Sequence, residues 1–333
     1  MPISSACRSA GEGSPSVKIL VTGADGFVGR HLVARLVETG HEVGAACRPG
    51  GEPLERWLGE SWRGAVQVVP LELTDAASVR AGVSAPYQAV VHLAGMASGS
   101  EARHDPAGAW VINAAGTARV LEALSALRLA CTADPVVLVV STAEVYGAGH
   151  RKPREEHDPV APRSPYAASK AGGELAALEV WRRTGLRVVI ARPFPHTGAG
   201  QPAHYVAPAF AQRLQAAKRA GDVRVPTGNL DPVRELLHVR DVVEAYLGLL
   251  ANGAAGDVYN IAGGQGVSLR TLFQLLARII GVDAEPVPDP ALVRGSDIDH
   301  LVGDGSKLRH ATGWSPTFTL EQTLRDLVDA QAN

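Results

Sequence analysis

Val17-Lys-Ile-Leu-Val-Thr-Gly-Ala-Asp-Gly-Phe-Val-Gly-Arg-His-Leu32 decides the fold. Val17–Val21 is a short β-rich run that ends on a glycine-rich turn, Thr22–Gly29. Val28, Leu32, Val33, Leu36 and Val37 then recur at helical spacing as far as Gly40, a suitable helix stop. His41–Cys47 supplies a second strand. Strand, turn, helix and strand in this order make the opening βαβ unit of a doubly wound sheet. Gly23, Gly26 and Gly29 are spaced GxxGxxG, one residue longer at the front than GxGxxG, and they meet the same physical need. One glycine makes the tight turn, one lets backbone approach a pyrophosphate, and one packs the helix close to the strand. A dinucleotide's phosphates would then rest by Phe27 and Val28, at the positive N-terminus of the helix.

Outward from this unit the alternation continues. The second strand ends at Cys47-Arg48 with no acid. An NAD site wants a carboxylate there for the ribose hydroxyls, whereas an NADP site accommodates an arginine, so NADP(H) is expected over NAD(H), with Arg48 on the cofactor. Val66–Pro70 reads as a third strand, followed by a loop in which Asp75 is expected to meet the adenine. Ala89–Gly95 is a fourth strand ending in Leu93, Ala94 and Gly95, where the cofactor lies close; Asn113–Leu127 is a helix and Pro135–Val140 a fifth strand. The expected fold is α/β, a Rossmann-type doubly wound parallel sheet with a smaller C-terminal substrate-binding lobe. The dinucleotide-binding domain is expected over residues 17–191 with a return at 236–262, the lobe over 192–235 and 263–333, and residues 1–16 as a disordered leader.

Composition removes several function classes. The 333 residues are 46% apolar and 20% charged, with a net charge of −2 and no block of like charge. A nucleic-acid or anionic-membrane surface is therefore not expected. No apolar run reaches the ~18–20 residues that cross a bilayer. Cys7, Cys47 and Cys131 lie far apart without a CxxC, which argues for a reducing compartment, the cytoplasm, and against a metal site.

The chemistry is expected beyond the fifth strand. Ser141–Gly147 lies at the carboxyl edge of the sheet, where ligands of such folds bind. Ser164-Pro-Tyr166-Ala-Ala-Ser-Lys170 opens a helix that continues through Trp181. Tyr166 and Lys170, one turn apart, project from one helix face. An ammonium beside a phenol favours the phenolate and is expected to lower the tyrosine pKa from ~10. Such a tyrosine can exchange a proton with a substrate hydroxyl while hydride passes to or from nicotinamide, with Thr142 holding the same oxygen. A bare YxxxK is common and reads as a surface pair; its place behind a complete dinucleotide fold gives it weight.

Together, Thr22–Leu32 (TGxxGFVGxHL), His92–Gly95 (HLAG), Asn113–Thr117 (NxxGT), Ser141–Gly147 (STAEVYG) and Pro165–Lys170 (PYxxSK) resemble the extended short-chain dehydrogenase/reductase family of nucleotide-sugar epimerases, dehydratases and reductases. The resemblance covers the chain from Val17 onwards. It implies Thr142, Tyr166 and Lys170 as catalytic triad, a nucleotide-diphosphate sugar as substrate, and a homodimer formed through two helices per subunit, one carrying YxxxK. Apolar positions in Gly173–Arg182 suit either that interface or the core. In the second half, Arg192–Gln201, Tyr205–Phe210, Gly228–Arg234, His238–Val243, Arg294–Asp297 and Val302–Trp314 are similar to GDP-4-keto-6-deoxy-D-mannose reductases and, more distantly, to GDP-mannose 4,6-dehydratases. A GDP-hexose is implied, with Arg234 and Arg294 converging on its pyrophosphate and His196 and Val206 on the substrate. Two departures stand out: Pro195 where these reductases have Asn, and Glu235-Leu-Leu in place of a more polar-aromatic stretch.

Three reactions, and one non-enzymatic reading, fit these residues. A dehydratase needs a base and an acid beyond the triad; Glu144 is present, but Ala143 stands where an acid or hydroxyl is usual and cannot donate a proton. An epimerase needs the triad, a retained cofactor and room for the ketosugar to turn. Reduction of a GDP-4-keto-6-deoxy-hexose fits Arg48 and the C-terminal motifs and is the first expectation. A catalytically silent NAD(P)-sensing protein would typically lose Tyr or Lys of YxxxK, and both are retained.

Overall fold

Short β-branched or alanine-rich runs form the strands, and a parallel sheet covered on both faces needs them to be apolar on both sides. Val136–Val140 is the clearest case, with all its residues buried. The computed structural model describes residues 16–51, 54, 57–58, 62, 64–148, 151–293 and 298–332. All but the last residue of the expected leader, and Arg294, lie outside the described residues. The central sheet joins β1 (Lys18–Thr22), β2 (Glu42–Cys47), β3 (Val66–Pro70), β4 (Ala89–His92), β5 (Val136–Val140), β6 (Arg187–Pro193) and β7 (Val258–Ile261). Every pairing is parallel, in the order β7-β6-β5-β4-β1-β2-β3. The order reverses between β1 and β4, and a crevice opens at their carboxyl ends.

Helices cover both faces. On one, α1 (Phe27–Glu38) contributes Leu32, Val33 and Leu36 and α6 (Val239–Asn252) contributes Val242, Val243 and Leu249. On the other, α3 (Thr117–Leu129) and α4 (Pro165–Thr184) bring Leu121, Leu124, Ala177 and Val180 against Leu20, Val90 and Val137. Each such leucine, fully buried, contributes about 1.5–3 kcal/mol. A short α2 (Ala76–Gly82) packs beside β3 through Val79.

The helix expected over Asn113–Leu127 differs. A π-helical segment spans Trp110–Gly116 and runs directly into α3. Side-chain hydrogen bonds give the reason: Asn113 Oδ1 accepts the Met96 N–H at 2.8 Å and Nδ2 donates to the Met96 carbonyl at 3.1 Å. The segment also lies so close to α4 that a Cβ on Gly173 would stand 2.9 Å from the Asn113 carbonyl. Such a widened turn in a helix recurs at functional sites. Helix α4 runs past Trp181 to Thr184 and stops at Gly185, in the left-handed region with φ 72°.

Three further helices, α5 (Val206–Ala220), α7 (Leu269–Ile280) and α8 (Leu320–Ala332), build a second core around Phe210, Leu214, Phe273, Leu276 and Leu324. Glu235, one of the departures noted above, fastens this lobe to the sheet. It is buried, and its carboxylate accepts N–H groups of Gly263, Gly264 (3.3 Å) and Gly303 (3.0 Å). Burial pushes its pKa up to about 7 against the pull of those amides.

Candidate active site

A cleft of about 730 Å³ runs along the carboxyl ends of β1, β4 and β5 and under the lobe. Its floor is the glycine turn. Gly23 has φ 68°, and a Cβ there would meet the Ala94 backbone at 2.9 Å. A Cβ on Gly29 would reach the Gly23 carbonyl at 2.1 Å, so this glycine lets α1 sit against the turn. Gly26 caps α1 without a side chain, leaving the first amides of the helix open to the cleft. A bare backbone cradle at a positive helix end suits a pyrophosphate.

Across from the turn stand Thr142, Tyr166 and Lys170, all lining the cleft. Thr142 Oγ1 accepts the Glu144 N–H at 3.2 Å, and its hydroxyl hydrogen-bonds Tyr166. Tyr166 belongs to the first turn of α4, capped by Ser164, whose hydroxyl accepts the Ala167 N–H at 3.1 Å. Lys170 reaches the end of β4, where a Cβ on Gly95 would stand 3.8 Å from Nζ. Burial pushes Lys170 down to about 8, with Glu174 acting the other way.

Tyr166 departs from expectation. Its pKa is pushed up, first by burial and then by the charge of Glu144 and the neighbouring Tyr205; the Thr142 hydrogen bond works against this. An ammonium one turn away favours the phenolate, but the dominant influence here is the protein packed around the phenol.

Of the other residues singled out, Phe27, Val28, Arg48, Leu93, Ala94, Glu144, His196 and Val206 line the cleft. The His196 ring stacks on Phe27 at 6.1 Å, and its Nδ1 meets the Phe194 carbonyl at 2.9 Å. Asp75 does not line the cleft: its carboxylate caps α2, accepting the Ala77 N–H at 2.8 Å. Glu72 lines it instead, with its Oε1 taken by the Thr74 N–H and hydroxyl at 3.0 and 2.8 Å. These bonds, with a smaller contribution from Arg48, hold the Glu72 pKa below the usual carboxylate range. Arg234 does not line the cleft either; its Nη1 donates to the Val233 carbonyl at 2.9 Å. Lys307 pairs with Asp257 at 3.2 Å, away from the cleft. Tyr205, Gln201 and Tyr246 line the cleft without having been singled out. Among the described residues, no group of three His, Cys, Asp or Glu is placed to hold a metal ion.

The arrangement can bind a dinucleotide along the turn and move a proton at Tyr166. Residues 20–327 match the GDP-mannose 4,6-dehydratase family. The chain belongs to this family, within the extended short-chain dehydrogenases/reductases. A curated family relative, GDP-6-deoxy-D-mannose reductase of Pseudomonas aeruginosa, is 35% identical over 93% of this chain and 96% of its own. The structure of RMD from Pseudomonas aeruginosa complexed with NADPH aligns at a TM-score of 0.80, with 34% identity over 95% of this chain and 98% of that one. DesIV of Streptomyces venezuelae, a dTDP-glucose 4,6-dehydratase solved with NAD bound, aligns at 0.83, with 26% identity over 95% and 97%. As a family member the chain is an NAD(P)-dependent enzyme that modifies nucleotide sugars.

Proposed function

We propose that the enzyme reduces a GDP-4-keto-6-deoxy-hexose at C4, with NADP(H) favoured over NAD(H). The observation that carries the reading is Tyr166, a phenol lining the cleft, hydrogen-bonded to Thr142 and kept protonated by burial and by Glu144. Reduction of a C4 ketone adds hydride to carbon and a proton to oxygen, so the resident tyrosine must begin protonated. A bound nicotinamide supplies the hydride. Tyr166 then donates its proton to O4 while Thr142 holds that oxygen in line, and the Lys170 ammonium offsets the phenolate left behind until solvent returns a proton. The GDP-sugar reductase among the relatives and the NADPH complex among the solved structures support the same reading. Arg48, at the adenosine end of the cleft, suits a 2′-phosphate.

Glu144 keeps a second reading in view. It lines the cleft, as the base of a 4,6-dehydratase would, yet neighbouring Ala143 is buried and carries no proton to give a leaving hydroxyl. An epimerase would use the triad alone. Mixing the enzyme and NADPH with a GDP-4-keto-6-deoxy sugar, beside a parallel incubation with GDP-mannose, separates these. Stoichiometric NADPH loss with the keto sugar is expected. Unchanged NADPH, with GDP-mannose turned into an isomer or keto sugar, would move the assignment to epimerase or dehydratase. A homodimer fits the exposed Leu175 on α4 beside Trp110 and Val111 of the π-helical segment, at 70%, 48% and 42% exposure. Light scattering should then return twice the chain mass, and a monomer mass would reject it.

A further inference from the structure

Beneath the cleft a chain of buried polar groups joins the glycine turn to the catalytic helix, and it passes through His92, a residue the mechanism above does not use. The Ala94 N–H donates to Thr22 Oγ1 at 3.1 Å, and Thr22 Oγ1 lies 2.8 Å from His92 Nδ1. On the other side of the ring, His92 Nε2 lies 3.1 Å from Thr117 Oγ1. Thr117 Oγ1 in turn donates to the Asn113 carbonyl at 2.6 Å. The directions can be assigned from hydroxyl valence. Thr117 has one proton and gives it to Asn113, so it can only accept from His92, and the proton of the imidazole sits on Nε2. Nδ1 is then bare and accepts the Thr22 hydroxyl, whose remaining lone pair takes the Ala94 amide. From Asn113 the network continues: Nδ2 donates to Ser169 Oγ at 2.9 Å, and Ser169 donates to the Tyr166 carbonyl at 2.8 Å.

We infer that His92, fixed as the neutral Nε2–H tautomer, is a positioning residue that holds the cofactor turn and the tyrosine-bearing helix in register. Both ring nitrogens are committed, so a second proton would remove the acceptor for Thr22. Burial and the nearby Lys170 charge resist that proton, pushing the His92 pKa down to about 3. The Thr22 bond orients the Ala94 amide against Gly23, which is a cofactor-side effect. The Thr117 bond holds Asn113 and through it Ser169 and Tyr166, which is a catalytic-side effect. The inference rests on reading the cleft as an NAD(P) site.

The test uses full-length enzyme and NADPH. In nitrogen-15 spectra of the NADPH-bound protein, the signals lost in His92→Phe should show a protonated Nε2 and a bare Nδ1, unchanged between about pH 6 and pH 9. The opposite tautomer, or titration in that range, overturns the inference. His92→Phe should weaken NADPH binding by about tenfold, as expected for one buried hydrogen bond. His92→Asn, which keeps an oxygen where Nδ1 stood, should restore that affinity without restoring kcat. Equal NADPH affinity in wild type and a folded His92→Phe overturns it. If His92→Phe does not fold, Thr22→Val and Thr117→Val divide the chain. The first should raise the Kd for NADPH, and the second should lower kcat at unchanged Kd; the same effect from both overturns the inference. Wild-type enzyme that fails to bind NADPH would instead sink the reading of the cleft.

Discussion

The two walls of the cleft are built differently. The wall formed by β1, β4, β5 and α4 leaves little slack: Gly23, Gly29, Gly95 and Gly173 each face a neighbour that a methyl group would strike, and the polar groups behind them are joined end to end. The opposite wall is assembled from short pieces: His196 on a two-residue strand, Gln201 and Tyr205 in the loop after it, and Val206 at the start of α5. Arg234 spends one donor on its neighbour's carbonyl. On the proposed reading the first wall meets the dinucleotide and the proton at O4, and the second meets the nucleotide sugar, so the tighter wall is the one that holds the reacting groups.

Substitutions that break this contrast should rank accordingly. The largest loss is expected from Tyr166→Phe, which removes the proton donor: kcat should fall by about 10²–10⁴-fold with the Kd for NADPH unchanged. An equal loss of cofactor affinity would show that the phenol is a binding group. Next, Gly29→Val forces a side chain into the Gly23 carbonyl, so cofactor binding should fail and stability drop by about 1–3 kcal/mol in a urea titration. Arg234→Ala, outside the cleft lining, should leave both quantities and the substrate KM near wild type.

The pH profile sharpens the contrast further. Lys170 keeps its proton below about 8 and loses it above, so kcat/KM should fall as pH rises through that value. Glu174 favours the ammonium, so Glu174→Gln should move the falling limb to lower pH. A profile flat through this range would remove Lys170 from the proton account. The smallest effect separates two acids close together in sequence. Asp75→Ala should cost about 1 kcal/mol of stability through the lost helix cap and leave NADPH binding alone. Glu72→Ala should change the Kd for NADPH, and the reverse pattern would return the adenosine contact to Asp75.

That last pair also marks where sequence reading runs out. Strands β1, β4 and β5 were legible because a buried parallel strand is written as a short β-branched run, β2 and β3 from their place in the strand–helix alternation, and the glycine turn because its spacing reflects a backbone requirement. Which acid after β3 faces the ligand depends on the turn between strand and helix. Asp75 followed by Ala76-Ala77 carries a helix-capping pattern that points to its real place. The π-helical segment at Trp110–Gly116 has no periodic signal, since tertiary bonds from Asn113 to Met96 create it. The Tyr166 pKa escaped for a related reason. Helical spacing reports that Lys170 is near, and only the folded chain reports how much protein surrounds the phenol. Arg234 was expected on a pyrophosphate because charge is visible in a sequence; its place outside the cleft lining depends on orientation, which is not.

The proposed reaction delivers hydride to C4, with the proton supplied by Tyr166. NADPH carrying deuterium at the transferred position of its nicotinamide, incubated with enzyme and a GDP-4-keto-6-deoxy-hexose, tests it most directly. A GDP-6-deoxy-hexose with deuterium on C4 is expected, formed mole for mole with NADP and about 10²–10⁴-fold more slowly by Tyr166→Phe. Deuterium retained in the cofactor while the sugar changes, or found on any other carbon, would contradict it.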